Sequence, residues 1–308
     1  MRGIRVASIG IAVPERVITN DDLTATLETS DEWIFERTGI RQRRWGGTTS
    51  SLAIEASQQA LSRAGLTAAD IDHVVLATTT PDAIVPGTAC TVQDALGVPG
   101  GAVDVNAACS GFVYGLVMAA GMVAVGSGRV LLAGSDTLSR ITDHSDRNYA
   151  VLVGDGAGAV VIEPTEGESD LLSWYWGANG SLRHLLTSEH GGYLYMNGKE
   201  IFRNAVKVIV ESAEHALKGA TMTVDDIDMF VPHQANLRIV QAACERMGIP
   251  MEKTAMVIDR YANTSSASIP LALDDAVATG KVKKGDRLLL AGFGGGMTWA
   301  SAVLRWSY

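Results

Sequence analysis

The sequence of 308 residues predicts an α/β fold, a five-layered αβαβα sandwich of two similar halves, on three observations. ALSRAGLTAADIDHVV (Ala60 to Val75) aligns with ALKGATMTVDDIDMFV (Ala216 to Val231), identical at eight of sixteen positions with an offset of 156. RVLLAG (Arg129 to Gly134) aligns with RLLLAG (Arg287 to Gly292) at an offset of 158, so the two matches keep their order about half a chain apart. The third observation is the apolar run from Phe112 to Gly126, apolar on every side yet shorter than the roughly 20 residues of a membrane span. Such a run reads as a helix buried at the centre.

The elements follow in order. MRGIRVASIGIAVPE alternates apolar and polar residues and reads as a first strand rather than a signal peptide. SLAIEASQQALSRAGL reads as a helix, followed by a Thr or Asp cap, the strand HVVLATTT, the central helix starting near Cys109 and the strand VLLAG. The second half repeats the scheme. Its central helix is expected near Ser265, in NTSSASIPLALDDAVATG, because an offset of about 157 carries Asn106 onto Asn263 and Cys109 onto Ser266. The halves are 1–165, carrying the cysteine, and 166–308, carrying a histidine and an asparagine of interest. Stretches without a counterpart, Thr137 to Ala150 and Val85 to Gly100, suit substrate and subunit contacts. GDGAGA (Gly154 to Ala159) and GFGGGMTW (Gly292 to Trp299) both read as strand-turn-strand connections, and neither has the Lys-Ser/Thr of a phosphate loop.

Hydrophobic residues at 47% and charged residues at 19% provide for a large core. A net charge of -9 argues against general attraction to nucleic acid or anionic membrane and leaves room for a local basic patch. Cys90, Cys109 and Cys244 lack CxxC spacing, so neither a disulfide framework nor a metal site is expected, and a reducing cytoplasm fits.

Cys109 lies in DVNAACSGFVYGL at the expected start of the central helix, where the positive helix end favours thiolate over thiol and small neighbours expose the sulfur. A small core cysteine is the plain alternative. His233, in VPHQANLRIV, emerges at the C-terminal end of a strand, the usual ligand edge of α/β sheets. Asn263, in RYANTSSAS, reads equally as a helix cap or as a functional amide. The glycines of GFGGGMTW permit an exposed backbone N–H that could bind an oxyanion.

TSDEWIFERTGIRQRRW (Thr29 to Trp45), AACSGF, DRNYAVLVGDGAGA, PHQANLRI, YANTSSASIP and FGGGMTW, in this order over essentially the whole chain, resemble the beta-ketoacyl-acyl carrier protein synthase III family of the thiolase superfamily. The resemblance implies that Cys109 takes an acyl group from acyl-CoA, that His233 and Asn263 hold the enolate formed when malonyl-acyl carrier protein loses carbon dioxide, and that the backbone N–H groups of Cys109 and Gly295 hold the tetrahedral intermediates. It assigns Thr29, Trp33, Arg37, Arg147 and Asn236 to CoA, and Gln234, Arg238, Arg203 and Lys207 to docking of the carrier protein. CoA thioester is then a substrate and no cofactor is needed. A homodimer is implied, with Ile84-Val85-Pro86 reaching across to shape the acyl pocket.

Taken alone, Trp33 and Arg37 could be a surface pair, and the three basic residues a solvated helix face. Two positions depart from the family pattern. Ala262 stands where glycine is usual, and Val85 where a larger side chain often gates the pocket, which points to branched or longer primers. The segment from Ser169 to Tyr195 is short, which bears on the CoA channel. The rivals are an acyltransferase that does not decarboxylate, a cysteine hydrolase using Cys, His and Asn in papain-like order, and a catalytically inert scaffold.

Overall fold

The computed structural model describes residues 2–308. Two main sheets organise it. The first contains β1 (Gly3–Ala12), β2 (His73–Ala77), β3 (Gly101–Val105), β4 (Val130–Thr137) and β5 (Asp155–Thr165), in spatial order β1-β5-β4-β2-β3. The second contains β6 (Leu171–Ala178), β7 (Met229–Pro232), β8 (Arg287–Gly294) and β9 (Thr298–Arg305), in the order β7-β8-β9-β6.

The pairing repeats down to its register. β2 runs parallel to β4 with Val75 opposite Leu132, and β7 runs parallel to β8 with Val231 opposite Leu290. The next two strands are antiparallel in each sheet. The approach to each parallel strand repeats as well: Asp70 accepts from the Thr67 N–H, and Asp226 from the Thr223 N–H, each at 2.8 Å. β3 has no full counterpart. In its place Thr254 makes a single parallel bridge to Phe230. On this topology we propose 1–165 and 166–308 as the two halves.

Helices form the other three layers. α1 (Asp31–Thr38) packs beside the helix Leu237–Met247, while α2 (Thr49–Ala64) covers the outer face of the first sheet. α3 (Gly111–Ala124) and α6 (Ser268–Ala278) lie between the sheets, and α4 (Gly198–Gly219) and α5 (Leu237–Met247) belong to the outer layer of the second. This is the expected αβαβα order. α3 is buried at Phe112, Val113, Leu116, Val117, Ala119 and Val123, the all-round apolar pattern that placed it in the middle. A Cβ at Gly134 would stand 2.5 Å from the Ser266 carbonyl oxygen, so β4 passes directly over the start of the second central helix.

GDGAGA is not a hairpin. Its residues from Asp155 open β5, a single strand of 11 residues. The glycines serve packing instead: a Cβ at Gly158 would lie 2.6 Å from Pro270 Cβ on α6. GFGGGMTW is the expected connection, the turn between antiparallel β8 and β9.

Ala262 has φ 57° and ψ -153°, a region open essentially to glycine alone. Ala262→Gly should therefore stabilise the fold by about 1 kcal/mol, raising the Tm by about 2 °C in a thermal melt. An unchanged or lower Tm would show that the alanine is accommodated without strain.

Candidate active site

The elements of both halves meet over one cavity of about 330 Å³, whose lining includes Cys109, His233, Asn263 and Gly295. Cys109 precedes the first turn of α3 by two residues and follows Ala108, held at φ 48°. That left-handed step turns the chain sharply enough to present the sulfur. Gly294 makes the close approach possible, since a Cβ there would stand 2.5 Å from the Cys109 amide nitrogen.

Enclosure pushes the Cys109 thiol up to about 12, because a thiolate would be poorly solvated there. The Ser265 hydroxyl beside it works the other way, and the Asp136 carboxylate adds to the rise. The charge state that the helix end leaves open in the sequence is thus that of a thiol in the resting protein. Asp136 itself is fully buried, accepting at Oδ1 from the hydroxyls of Thr78, Thr79 and Thr80 and the amides of Thr79 and Thr80, and at Oδ2 from the Ser266 amide at 3.0 Å. It fastens the end of β2 to the start of the second central helix.

His233 leaves the end of β7 with 1% of its surface exposed. Burial lowers its pKa to about 3, so the ring is neutral. Its Nδ1 lies 2.6 Å from Ser268 Oγ, which also accepts the Gln234 N–H at 3.4 Å. The hydroxyl can accept that bond and still donate, and with the Ser268 proton turned to Nδ1 the ring proton stands on Nε2. Nε2 has no partner in the protein among the described residues. Asn263 is fixed by its backbone, donating to Leu152 O and accepting from Gly154 N, both at 2.8 Å. Its Oδ1 accepts the Ser265 N–H at 2.9 Å, which leaves the side-chain NH₂ as the free donor. In that tautomer two neutral donors, His233 Nε2–H and the Asn263 NH₂, line the cavity that also holds the thiol.

The other residues singled out from sequence separate into three groups. Two guanidinium groups lie over the Trp33 ring, that of Arg37 at 4.5 Å and that of Arg147 at 4.8 Å from its centroid. The nearby Thr29 hydroxyl is enclosed and unpartnered among the described residues. Asn236 caps α5 through Arg238 N and donates to Arg37 O at 3.0 Å, tying that helix to α1. Arg238 lies over the ring of Phe202 at 6.0 Å, beside Arg203 and Lys207 of α4, whose charges are partly met by Glu200 and Glu211. Gln234 does not belong with them. It is 0% exposed, its Nε2 donating to Ala255 O and its Oε1 accepting from Val257 N, so it braces the loop and cannot meet a partner protein.

The cavity is also lined by Tyr149, Arg183 and Ser265, none of them singled out from sequence. Ser265 carried a signal in its place beside Asn263. Tyr149 and Arg183 carried none. Leu186, Thr187, Ser188, Leu194 and Met196, from the short segment before α4, form much of the remaining wall.

Comparison with known proteins gives a consistent result. Residues 103–180 match the family model described as 3-oxoacyl-[acyl-carrier-protein (ACP)] synthase III, and residues 217–306 match the model of its C-terminal part. A beta-ketoacyl-[acyl-carrier-protein] synthase III of Roseiflexus castenholzii is 49% identical, the alignment covering 97% of this chain and 96% of the relative. The crystal structure of a 3-oxoacyl-[acyl-carrier-protein] synthase III from Aquifex aeolicus superposes with a TM-score of 0.97 at 42% identity, covering 99% of this chain and all of the other. One from Pseudomonas aeruginosa gives 0.96 at 40%, covering 100% and 99%.

Proposed function

The chain belongs to the 3-oxoacyl-[acyl-carrier-protein] synthase III family, and from that premise we propose that Cys109, His233 and Asn263 carry out the decarboxylative condensation of an acyl-CoA primer with malonyl-acyl carrier protein. The product is 3-oxoacyl-acyl carrier protein, and the step initiates fatty-acid synthesis. The observation that carries the assignment of roles is the convergence of one thiol, the unpartnered Nε2 of a neutral His233 and the free Asn263 NH₂ on a single cavity.

In the first half-reaction Cys109 Sγ attacks the thioester carbonyl, the carbon–sulfur bond to CoA breaks, and the thiol proton ends on the departing CoA. Malonyl-acyl carrier protein then enters. Its carboxylate leaves as carbon dioxide, and the electron pair of the broken carbon–carbon bond forms an enolate held by His233 Nε2–H and the Asn263 NH₂. Neutrality matters here: an imidazolium would hand its proton to the enolate and waste the malonyl group, whereas a neutral N–H holds the charge without quenching it. The carbanion attacks the acyl carbon on Cys109. The backbone N–H groups of Cys109 and Gly295 hold the resulting oxyanion until the thiolate is expelled and takes a proton from solvent.

CoA enters past Trp33, with Arg37 and Arg147 meeting its phosphates, the Thr29 hydroxyl offering a further contact and Asn236 holding the two helices in register. Trp33→Ala should raise the KM for acyl-CoA about tenfold with kcat little changed. Equal loss in both constants, in a steady-state series, would place Trp33 outside the nucleotide site. Carrier protein docks on Arg238, Arg203 and Lys207. The protein works in the cytoplasm without a cofactor and as a homodimer, and the exposed apolar side chains of Ile84, Val85, Val103 on edge strand β3, Met118 and Trp174 support the dimer. Val85, 83% exposed in the single chain, would gate its partner's pocket.

Intact-mass analysis after exposure to a panel of acyl-CoAs tests the first half-reaction, and subsequent addition of malonyl-acyl carrier protein tests the second. An acyl adduct discharged as a product two carbons longer, with carbon dioxide released, is expected. Discharge without carbon dioxide would identify a simple acyltransferase instead.

A further inference from the structure

Tyr149 is a buried ionisable group that the mechanism above leaves unused. Only 5% of its surface is exposed. Its ring packs with Leu138 and Val153 in a small cluster of its own, with Ile141, Leu194 and Met196 against it. Leu138, Ile141, Leu194 and Met196 also line the cavity over Cys109, so this cluster is the cavity's apolar wall, and Tyr149 is part of that wall. The segment is held firmly. Leu152 and Gly154, just beyond it, are bonded to the backbone of Asn263.

Unlike its wall neighbours, Tyr149 carries a hydroxyl, and that hydroxyl makes no hydrogen bond to a described residue, burial being the foremost influence on its titration. The contrast with Tyr114 is informative, since that hydroxyl donates to Gly177 O at 2.9 Å. Among the other cavity hydroxyls, that of Thr79 is taken by Asp136 and that of Ser188 by its own loop, while the unpartnered Ser265 hydroxyl stands beside Cys109 and not in the apolar wall. Burial holds the phenol well above its ordinary range, so it is a constant donor at neutral pH. The hydroxyl opens onto the cavity rather than into dry core, and tyrosine hydroxyls at such positions usually find a partner there.

We propose that Tyr149 is a specificity residue whose hydroxyl hydrogen-bonds an oxygen on the primer chain, so that the preferred acyl-CoA is a hydroxy- or oxo-acyl thioester rather than a plain alkanoyl one. The inference rests on Cys109 being the acyl acceptor. A pocket that offers a hydrogen bond discriminates strongly against the analogue that cannot make it, because the pocket's own polar group is then left dry. Position in the chain also fits the role. Tyr149 is two residues from Arg147, which lies over Trp33, so one short helix, Arg147–Ala150, joins the nucleotide end of the site to the acyl end.

The test compares butyryl-CoA with its 2-, 3- and 4-hydroxy derivatives as acyl donors to the wild-type protein and to Tyr149→Phe, read as the rate of adduct formation by intact mass. The expected result is that the wild type favours at least one hydroxy derivative over butyryl-CoA by about tenfold, and that Tyr149→Phe reduces that preference to near unity. Preferences equal in the two proteins, or a wild type that favours butyryl-CoA over all three derivatives, would overturn the proposal. Failure of Cys109 acylation with every thioester is a different outcome, and would overturn the assigned reaction instead.

Discussion

Cys109→Ala is expected to abolish acyl transfer from CoA to the protein while leaving slow release of carbon dioxide from malonyl-acyl carrier protein in place. The nucleophile belongs to the first half-reaction alone, and without it condensation should fall by about 10⁴-fold or more. The enolate donors are on other elements, His233 at the end of β7 and Asn263 before α6, and their hydrogen bonds to Ser268 and Ser265 do not involve the thiol. Decarboxylation therefore continues, and the enolate, having no acyl group to attack, is protonated to the acetyl thioester. Intact mass and evolved carbon dioxide, measured on one sample, separate the two activities. Condensation surviving in the variant would remove Cys109 from the mechanism. The resting thiol should also be slow toward iodoacetamide near neutral pH, as its titration is pushed up to about 12.

His233→Ala should give the converse pattern. Removing a single donor from an oxyanion site of this kind costs about 10²- to 10³-fold in rate. The loss should fall on decarboxylation and condensation, with Cys109 acylation changed only a few-fold. pH provides a second readout. A histidine at its ordinary pKa of 6.5 would become charged as the medium acidifies through that value, but burial lowers His233 to about 3. The decarboxylation rate in the wild type should accordingly stay level through the region around 6.5. The same shift bears on stability: the unfolded chain takes up a proton at this histidine below 6.5 and the folded chain does not, so its contribution is complete above 6.5 and is lost progressively as pH falls toward about 3. A decarboxylation rate that drops tenfold per pH unit below 6.5 would show that the ring titrates in the working site.

The features that come through in the sequence are those written in local pattern. The repeated ALSRAGL and ALKGATM stretches, the all-round apolar run at Phe112 and the strand ends before His233 each depend on neighbours in the chain, and the sheets and central helix follow from them. What escapes is decided by partners far away in sequence. Nothing near Gln234 says that both ends of its amide will be taken by Ala255 and Val257, which turns a surface-looking residue into a strut. The glycines of GDGAGA read as a turn because the proline of α6 that they make room for is more than a hundred residues distant. Cys109 shows the same limit in its charge. Position at a helix start is visible in sequence, while the enclosure and the Asp136 carboxylate that outweigh it come from across the fold.

The contact between the two central helices has a consequence of its own. Ser266 Oγ donates to Ala108 O at 3.2 Å, so the residue matching the cysteine by the repeat abuts the cysteine's own turn. Two separate copies of one half, related by a true twofold axis, would have to place the same side chain at both of these spots: two thiols face to face, each in the other's way, or none. Joining the halves in one chain breaks that constraint. One copy keeps the sulfur, the other carries a small hydroxyl that anchors the neighbouring turn, and the histidine and asparagine are free to exist once. The asymmetry that makes a single reaction centre is thus a product of covalent linkage, and any attempt to rebuild the protein from two identical halves would forfeit it.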